Sequence, residues 1–462
     1  MRFLAYLLGV LIVMWGRPGQ AQEESASTAS KEELEQVKEA LQGVSESATE
    51  YRGYVDALRK IKVTGYLQTQ WRFTGVTTPA SGATYEIGRF SGGAFPANVK
   101  NHFAVRRGRV KVNYDNGLTQ FVVQVDAIQT GLSVKDAYLT VTEPWLKSFG
   151  FQMGIFDRPF GYEISYSSSM REAPERSRLF QTLFPGEREL GAKVFFAPQL
   201  GPMSMLRADV GVFNGSGPTA NEFDNYKDFI GRVALQIPIG SEGMELDLGV
   251  SGYLGAVRNN TRYLYAAGTM GNGDKGFVVD SNAANLGDGV ARRYAGLDAQ
   301  LYVDVPALGG AVLRGEYVFG KQPGSSGSPS TSQTVSPSAQ ITGAIYNRNF
   351  AGWYATYIQN LGTRDQVLVR YDVYDPNTDV TASNFVSSNT SGAAGLTASD
   401  IRFSTLGLGL VHHWDENVKF VLYYEIVRSD ELTNITSTPA SLLAYASDVR
   451  DNVLTFRAQY KF

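Results

Sequence analysis

The chain has 462 residues, a formal net charge of −3, 49 Gly, 25 Tyr, 25 Phe and no Cys. This balance excludes a basic nucleic-acid binder, and the lack of thiols suits transit through an oxidising compartment. Past the N-terminus no segment approaches the roughly 18 continuous apolar residues of a membrane helix, whereas abundant Gly and Tyr fit sheet and turns.

Residues 1–21 read as an export signal. Arg2 is the charged start, Phe3 to Trp15 the apolar run, and Gly19-Gln20-Ala21 a small-x-small site with cleavage expected after Ala21. A retained signal anchor is the alternative, but the run is short for a span. Losing Arg2 and Arg17 takes the mature chain to about −5. Residues 22–30 are polar and expected to be disordered. A helix is predicted from Ser30, with Glu33 at capping-box distance. Leu34, Val37, Leu41, Val44, Ala48, Tyr51, Val55 and Leu58 step alternately by three and four, a heptad seam. So narrow a seam suits a coiled coil; a single helix lying on the rest of the protein stays open as the alternative. Gly43 and Gly53 weaken the helix in isolation, so it needs partners. Residues 22–60 are therefore expected to be a periplasmic linker and coiled coil.

From residue 61 onward, alternating segments are bounded by turn residues. They run over 61–73, 103–115, 118–127, 132–142, 149–157, 189–198, 204–214, 227–238, 244–255, 292–304, 309–320, 349–360, 364–375, 401–413, 416–428 and 451–462. That is sixteen, an even number, mostly of the length a tilted membrane strand needs. Short connections such as Asn116-Gly117 and Trp414-Asp415 alternate with long ones such as 74–102, 158–188 and 256–291; only 128–131 is short where a long one is due. Short turns at one rim and long loops at the other are the order of a closed meander.

Two faces can be read in the segments. Met244, Leu246, Leu248, Val250 and Leu254 oppose Glu245, Asp247, Ser251 and Tyr253; Val367, Val369, Tyr371 and Val373 oppose Gln366, Arg370, Asp372 and Tyr374. The last segment sets Leu454, Phe456, Ala458, Tyr460 and Phe462 against Thr455, Arg457, Gln459 and Lys461. An Arg or Lys facing lipid at the midplane costs about 2–4 kcal/mol, so the charged set must face water. The fold expected for 61–462 is an all-β, 16-stranded antiparallel transmembrane barrel around a water-filled lumen rather than a packed core.

The stretch from Arg106 to Gly191 resembles the phosphate-selective porin O and P family. The resemblance is carried by Arg106-Arg107-Gly108-Arg109-Val110, Lys135-Asp136-Ala137-Tyr138-Leu139, Gly154-Ile155-Phe156-Asp157-Arg158-Pro159-Phe160-Gly161, Ser167-Ser168-Ser169 with Arg176-Ser177, and Gly186-Glu187-Arg188-Glu189-Leu190-Gly191. It implies a trimeric outer-membrane porin whose third loop, here 158–188, folds inward and narrows the pore. Selective members line that constriction with Lys and Arg ladders. Here the loop holds Arg158, Arg171, Arg176, Arg178 and Arg188 against Glu163, Glu172, Glu175 and Glu187, with no Lys, which puts strong phosphate selectivity in doubt.

Arg107, Arg109 and Lys111 share one face of the second strand, opposite Val110 and Val112. As a lumen strip they would lower the barrier for an anion, because guanidinium forks match phosphate or carboxylate oxygens. Equally, they would brace the wall by pairing with Asp126, Asp136 or loop glutamates. Arg106 has the opposite parity and is expected at an interface or a bulge. Arg171, Arg176 and Arg178 meet permeating anions or are neutralised by neighbouring glutamates, and Tyr162, Tyr166 and Phe180 are expected to pack the loop on the wall.

Two motif matches fail on context. Gly271-Asn272-Gly273-Asp274-Lys275-Gly276 fits G-x-G-x-x-G, but neither a preceding strand nor a following helix is expected. Gly315 to Lys321 nearly fits a P-loop, yet Gln322 stands where magnesium needs Ser or Thr. Asp375-Pro376-Asn377-Thr378-Asp379 reads as an Asx-Pro turn, with calcium binding as the alternative. The three histidines, His102, His412 and His413, form no Ser/His/acid grouping in sequence.

The expected function is a passive outer-membrane porin of a gram-negative bacterium, a homotrimer passing small hydrophilic solutes, with phosphate or other anions as the candidate preference. Its partners are outer-membrane lipids and, through the coil, possible cell-wall contacts; no nucleic acid, cofactor, metal or catalytic residue is expected. The rivals are an envelope anchor acting through its coil and a barrel hydrolase.

Overall fold

The computed structural model describes residues 31–77, 86–240, 243–329, 343–435 and 440–462. The export signal, the polar linker and Ser30 lie outside the described residues. The chain divides into two units after Arg59.

The first unit contains one helix, α1, Lys31–Arg59. Its seam residues Val37, Leu41, Val44, Tyr51, Val55 and Leu58 are all exposed, Leu41 to 68%. Among the described residues of this unit the helix stands alone, so no core within the unit explains the spacing of its apolar stripe.

The second unit is a sheet. Its strands are β1 Ile61–Thr74, β2 Asn101–Asp115, β3 Thr119–Ile128, β4 Gly131–Thr142, β5 Phe149–Asp157, β6 Arg188–Phe196, β7 Leu206–Phe213, β8 Asp228–Pro238 and β9 Glu245–Arg258. Then come β10 Leu264–Thr269, β11 Lys275–Asp280, β12 Gly289–Val305, β13 Gly309–Gly324, β14 Ile345–Leu361, β15 Asp365–Asp375, β16 Phe403–His413, β17 Val418–Ser429 and β18 Val453–Lys461. Each wall strand pairs antiparallel with the next, and β9 skips to β12 from Gly289↔Arg258 to Tyr302↔Glu245. β1 closes on β18 from Tyr66↔Lys461 to Thr74↔Val453, and Gly65 and Phe462 exchange backbone bonds of 3.0 Å. The wall is thus the expected closed barrel of 16 antiparallel strands.

The strands left out of the wall, β10 and β11, form a hairpin inside the long 259–288 connection. β10 also runs parallel to the start of β14. The Gly271–Gly276 motif is the turn and first residues after it in this hairpin. A strand does precede it, contrary to expectation, but a strand rather than a helix follows, so no helix N-terminus faces the glycines. Asp375 accepts the Asn377 amide at 3.1 Å, an Asx turn.

Alternation sorts the side chains as the pattern predicts. Leu248, Val250, Leu254, Val369, Tyr371, Phe456 and Tyr460 are exposed on the outer surface. Asp247, Ser251, Arg370, Asp372, Thr455, Arg457 and Gln459 are buried within. Two bulges interrupt the period. Gln68 pairs with Arg107 and Thr69 with Val105, leaving Arg106 as an extra residue; Gln124 pairs with Asp136 and Val125 with Val134, leaving Lys135.

The lumen departs from expectation by being partly packed. Phe160, Ile164, Leu179, Phe180, Leu183 and Phe184 of the β5–β6 connection meet Tyr253, Tyr294, Val318, Phe350 and Tyr354 of the wall. Strands here carry inward Tyr and Phe where a water-filled tube would carry polar groups, so the loop finds an apolar seat. The long loops hold a second apolar cluster, including Tyr265, Phe277, Phe385, Leu396 and Leu432.

Leu297 sits at the middle of β12, 54% exposed on the outer face. Leu297→Arg is expected to lower the unfolding free energy in lipid vesicles by about 2–4 kcal/mol, read from urea titrations. An unchanged midpoint would show that this face does not meet hydrocarbon.

Candidate functional site: the lumen and its inward loop

The connection between β5 and β6, residues 158–187, folds into the barrel and contains the short helix α2, Arg178–Leu183. Arg188, expected in this loop, begins β6 instead. Aromatic packing fixes one side of the loop: Phe184 lies 5.8 Å from Tyr294 and 6.0 Å from Tyr253, ring centre to ring centre. Burying one such ring contributes roughly 1.5–3 kcal/mol. Glu316 of β13 then fixes the start of the loop, accepting the Tyr162 and Glu163 amides at 2.8 and 2.6 Å and the Tyr354 hydroxyl at 2.6 Å. Gly161 turns there with φ +63, and a Cβ on it would collide with that carboxylate. Tyr162 and Tyr166 stack at 5.2 Å, and Arg314 lies over the Tyr166 ring while pairing with Glu172 at 3.2 Å.

The other side of the loop is held by charge. Glu175, 4% exposed, receives three guanidiniums. Arg106 donates through Nε and Nη2 at 2.9 Å each, Arg107 through Nη2 at 2.8 Å, and Arg457 through Nη2 at 2.7 Å. The bulge makes this possible: it turns Arg106 inward beside Arg107, so that neighbouring residues share a face. Arg457 also donates to the Pro174 carbonyl at 2.6 Å, and Arg370 to the Glu175 carbonyl at 2.8 Å. Burial alone would push the Glu175 carboxyl up, but Arg106, Arg107, Arg457 and Arg171 outweigh it and hold it well below the ordinary glutamate value.

The remaining candidates divide into paired and unpaired cations. Arg109 pairs with Asp126 at 2.9 Å. Arg176 pairs with Glu187 and donates to the Glu163 carbonyl at 2.6 Å. Arg158 lies 3.9 Å from Glu189, and Arg188 is 2.9 Å from both Asp136 and Asp157. Lys111, Arg171 and Arg178 have no carboxylate partner among the described residues. Arg178 is sandwiched between the rings of Phe90 and Phe403, at 4.3 and 4.0 Å. Arg171 is 5% exposed, and no nitrogen of its guanidinium is hydrogen-bonded. Burial, with Arg176 and Arg107 close by, pulls its pKa well below the ordinary arginine value.

Residues not singled out in the sequence complete the set. Lys419 donates to the Ser169 and Arg171 carbonyls at 3.1 and 3.0 Å, and Arg72 to the Gly93 carbonyl at 2.6 Å. Both stand on inward positions of the alternation, which is the one signal that could have found them. A cavity of about 770 Å³ lies between the inward loop and the long loops, lined by Arg178, Arg370, Asp372, Glu425, Phe90 and Phe403 among others. The histidines stay apart from serine hydroxyls among the described hydrogen bonds: His412 pairs with Asp365 at 2.7 Å at the short-turn rim, and Arg72 donates to His102 Nε2 at 3.0 Å.

No family model matches the sequence, and no curated relative matches it. Solved structures do resemble the fold. Pseudomonas putida OprB, in a high-pH structure, is 9% identical with a TM-score of 0.55, covering 88% of this chain and 96% of that one. An anion-selective porin from Comamonas acidovorans is 11% identical with a TM-score of 0.48, covering 87% and 99%. The outer-membrane channel DcaP of Acinetobacter baumannii is 12% identical with a TM-score of 0.48, covering 87% and 97%. The likeness to OprB is one of fold: a closed antiparallel barrel, here of 16 strands.

Two outcomes test the anchoring. Glu316→Ala leaves two loop amides unbonded; it is expected to cost about 1–3 kcal/mol and to speed hydrogen exchange across 158–187, and unchanged exchange would contradict the anchor. Glu175 has its pKa depressed on folding, so its stabilisation is complete above its unfolded value of about 4.3 and is lost only as pH falls through the lower folded value. Loop protection at pH 5 is expected to match that at pH 7 once intrinsic exchange rates are corrected; loss already at pH 5 would contradict the clamp.

Proposed function

We propose that the protein is a passive channel of a gram-negative outer membrane for small hydrophilic solutes, with a preference for anions such as phosphate. The observation that carries this reading is the closed two-faced barrel with a charged loop folded inside it. An apolar exterior requires a bilayer, and a lumen lined with charge favours the passage of hydrophilic solutes.

The preference rests on how charge is divided around the lumen. Strands β17, β18, β1 and β2 present Lys419, Arg457, Arg72, Arg106, Arg107, Arg109 and Lys111, with Arg171 of the loop nearby. Across the barrel, β9, β12 and β13 present Asp247, Asp298 and Glu316 mixed with Arg292 and Arg314, and Asp298 pairs with Arg232 at 2.6 Å. The excess of cations on β17, β18, β1 and β2, with Lys111, Arg171 and Arg178 lacking a carboxylate partner among the described residues, lowers the barrier for anions. The loop's aromatic anchors favour a constriction of set size. The exposed heptad seam of α1 favours association of copies through that helix, the basis for a homotrimer; tethering to the cell wall through the same helix is the second reading.

The reversal potential of single channels in a potassium chloride gradient is expected to lie modestly toward chloride; a cation preference would overturn the anion reading. A chain lacking residues 22–60 is expected to keep its conductance and lose its trimeric mass under native conditions. Intact trimers would remove the helix from assembly, and lost envelope attachment with intact trimers would favour the tether.

A further inference from the structure

Three guanidiniums on one carboxylate are more than bracing needs. A single arginine with two parallel bonds neutralises and orients a glutamate, as Arg106 does here through Nε and Nη2. Arg107 and Arg457 add their own charge-assisted bonds to the same two oxygens, at 2.8 and 2.7 Å. The cluster therefore carries more positive than negative charge in a place where each cation is under a tenth exposed apart from Arg106. Arg171 worsens the imbalance: it stands four residues before Glu175, buried, with none of its three nitrogens bonded. A buried guanidinium without hydrogen bonds is costly, and Arg171 meets Glu175 through charge alone, without a bond.

The arrangement has the shape of a site for a tetrahedral or planar oxyanion. Guanidinium forks converge from wall strands that meet only through barrel closure, β2 on one side of β1 and β18 on the other. What fills it is the chain's own carboxylate, carried on a segment whose backbone is fixed by Arg457 at the Pro174 carbonyl and Arg370 at the Glu175 carbonyl.

Resting on the channel reading above, we propose that Glu175 is a tethered counter-ion that sets the channel's charge preference. Its carboxylate occupies an oxyanion site built by Arg106, Arg107 and Arg457, and so keeps free oxyanions of the inorganic phosphate class from binding there. Removing its charge weakens its hold on the three guanidiniums, so that a diffusing oxyanion can displace the uncharged side chain. A doubly charged phosphate then balances the three arginines better than the single carboxylate does.

The test uses the full chain in planar bilayers, with Glu175→Gln as the near-isosteric change. Chloride preference is expected to rise, and inorganic phosphate is expected to block the chloride current at a concentration at least tenfold lower than in the unmodified protein. The double change Glu175→Gln with Arg107→Gln is expected to bring both values back. A loop that had merely come loose would not be restored by deleting an arginine. If Glu175→Gln yields no heat-resistant barrel, Arg457→Gln replaces it and is expected to move the reversal potential the opposite way, toward potassium. A folded Glu175→Gln with unchanged selectivity and phosphate sensitivity overturns the proposal, as does a shift that survives in the double variant or an unmoved Arg457→Gln. Calorimetric titration of phosphate into detergent-solubilised Glu175→Gln separates the two readings. Binding there beside a protein that passes no current overturns only the channel; no binding beside a conducting protein overturns only the tethered ion.

Discussion

In hydrocarbon a backbone amide has no water to bond, and everything in this molecule follows from that. A sheet with this much apolar outer surface must close, and it closes where β1 meets β18 along a nine-residue register. Closure decides more than stability. It brings the last strand beside the first and so places Arg457 within reach of Arg106 and Arg107, which no nearer stretch of the chain could do. The C-terminal alternation matters for the same reason: Phe456 and Tyr460 must face out if Arg457 is to face in.

Closure also creates an interior that a 16-stranded wall cannot fill with its own side chains. The 158–187 loop partly fills it, and its two halves are held by different physics. Toward β9 and β12–β14 the loop packs its rings on Tyr253, Tyr294, Phe350 and Tyr354, with Glu316 and Arg314 bonding its start; toward β18, β1 and β2 it is held by the Glu175 clamp. Apolar contact is indifferent to pH and salt, whereas buried ion pairs depend on every partner being present. The lumen thus has a side held mainly by packed rings and a side held mainly by charge.

Sequence alternation made the barrel legible because each wall strand is constrained by lipid on one face and by the lumen on the other. The wall strands fall within a few residues of the segments read from the pattern, with β12, β13 and β14 running further toward the long loops. The β10–β11 hairpin was not legible: both strands are short, touch no lipid on a fixed period, and pair within a loop. The bulges were only half legible. Arg106 stands out as a break in parity, but nothing local shows that the break turns it inward toward a glutamate 69 residues away. Lys135 gives no such sign, since its inward turn depends on the pairing of Val125 with Val134. Arg107 and Arg109 were legible as inward cations; their partners, Glu175 and Asp126, were legible only as one option among several acids.

Counting charges in the loop therefore misleads about what a solute would meet. Five arginines against four glutamates suggests near neutrality spread evenly. Instead most of those charges are consumed locally: Arg176 by Glu187, Arg158 by Glu189 and loop carbonyls, and Arg188 by wall aspartates. Arg171 and Arg178 are left over, the first buried without a bond and the second held flat between two rings. Glu175 draws all three of its guanidiniums from the wall, whereas Glu187 pairs with Arg176 of the loop as well as with Lys135 and Arg188 of the wall. A carboxylate bonded to three arginines tempers the field of all three, so the charge preference proposed for this lumen turns on this acidic side chain rather than on the tally of basic ones.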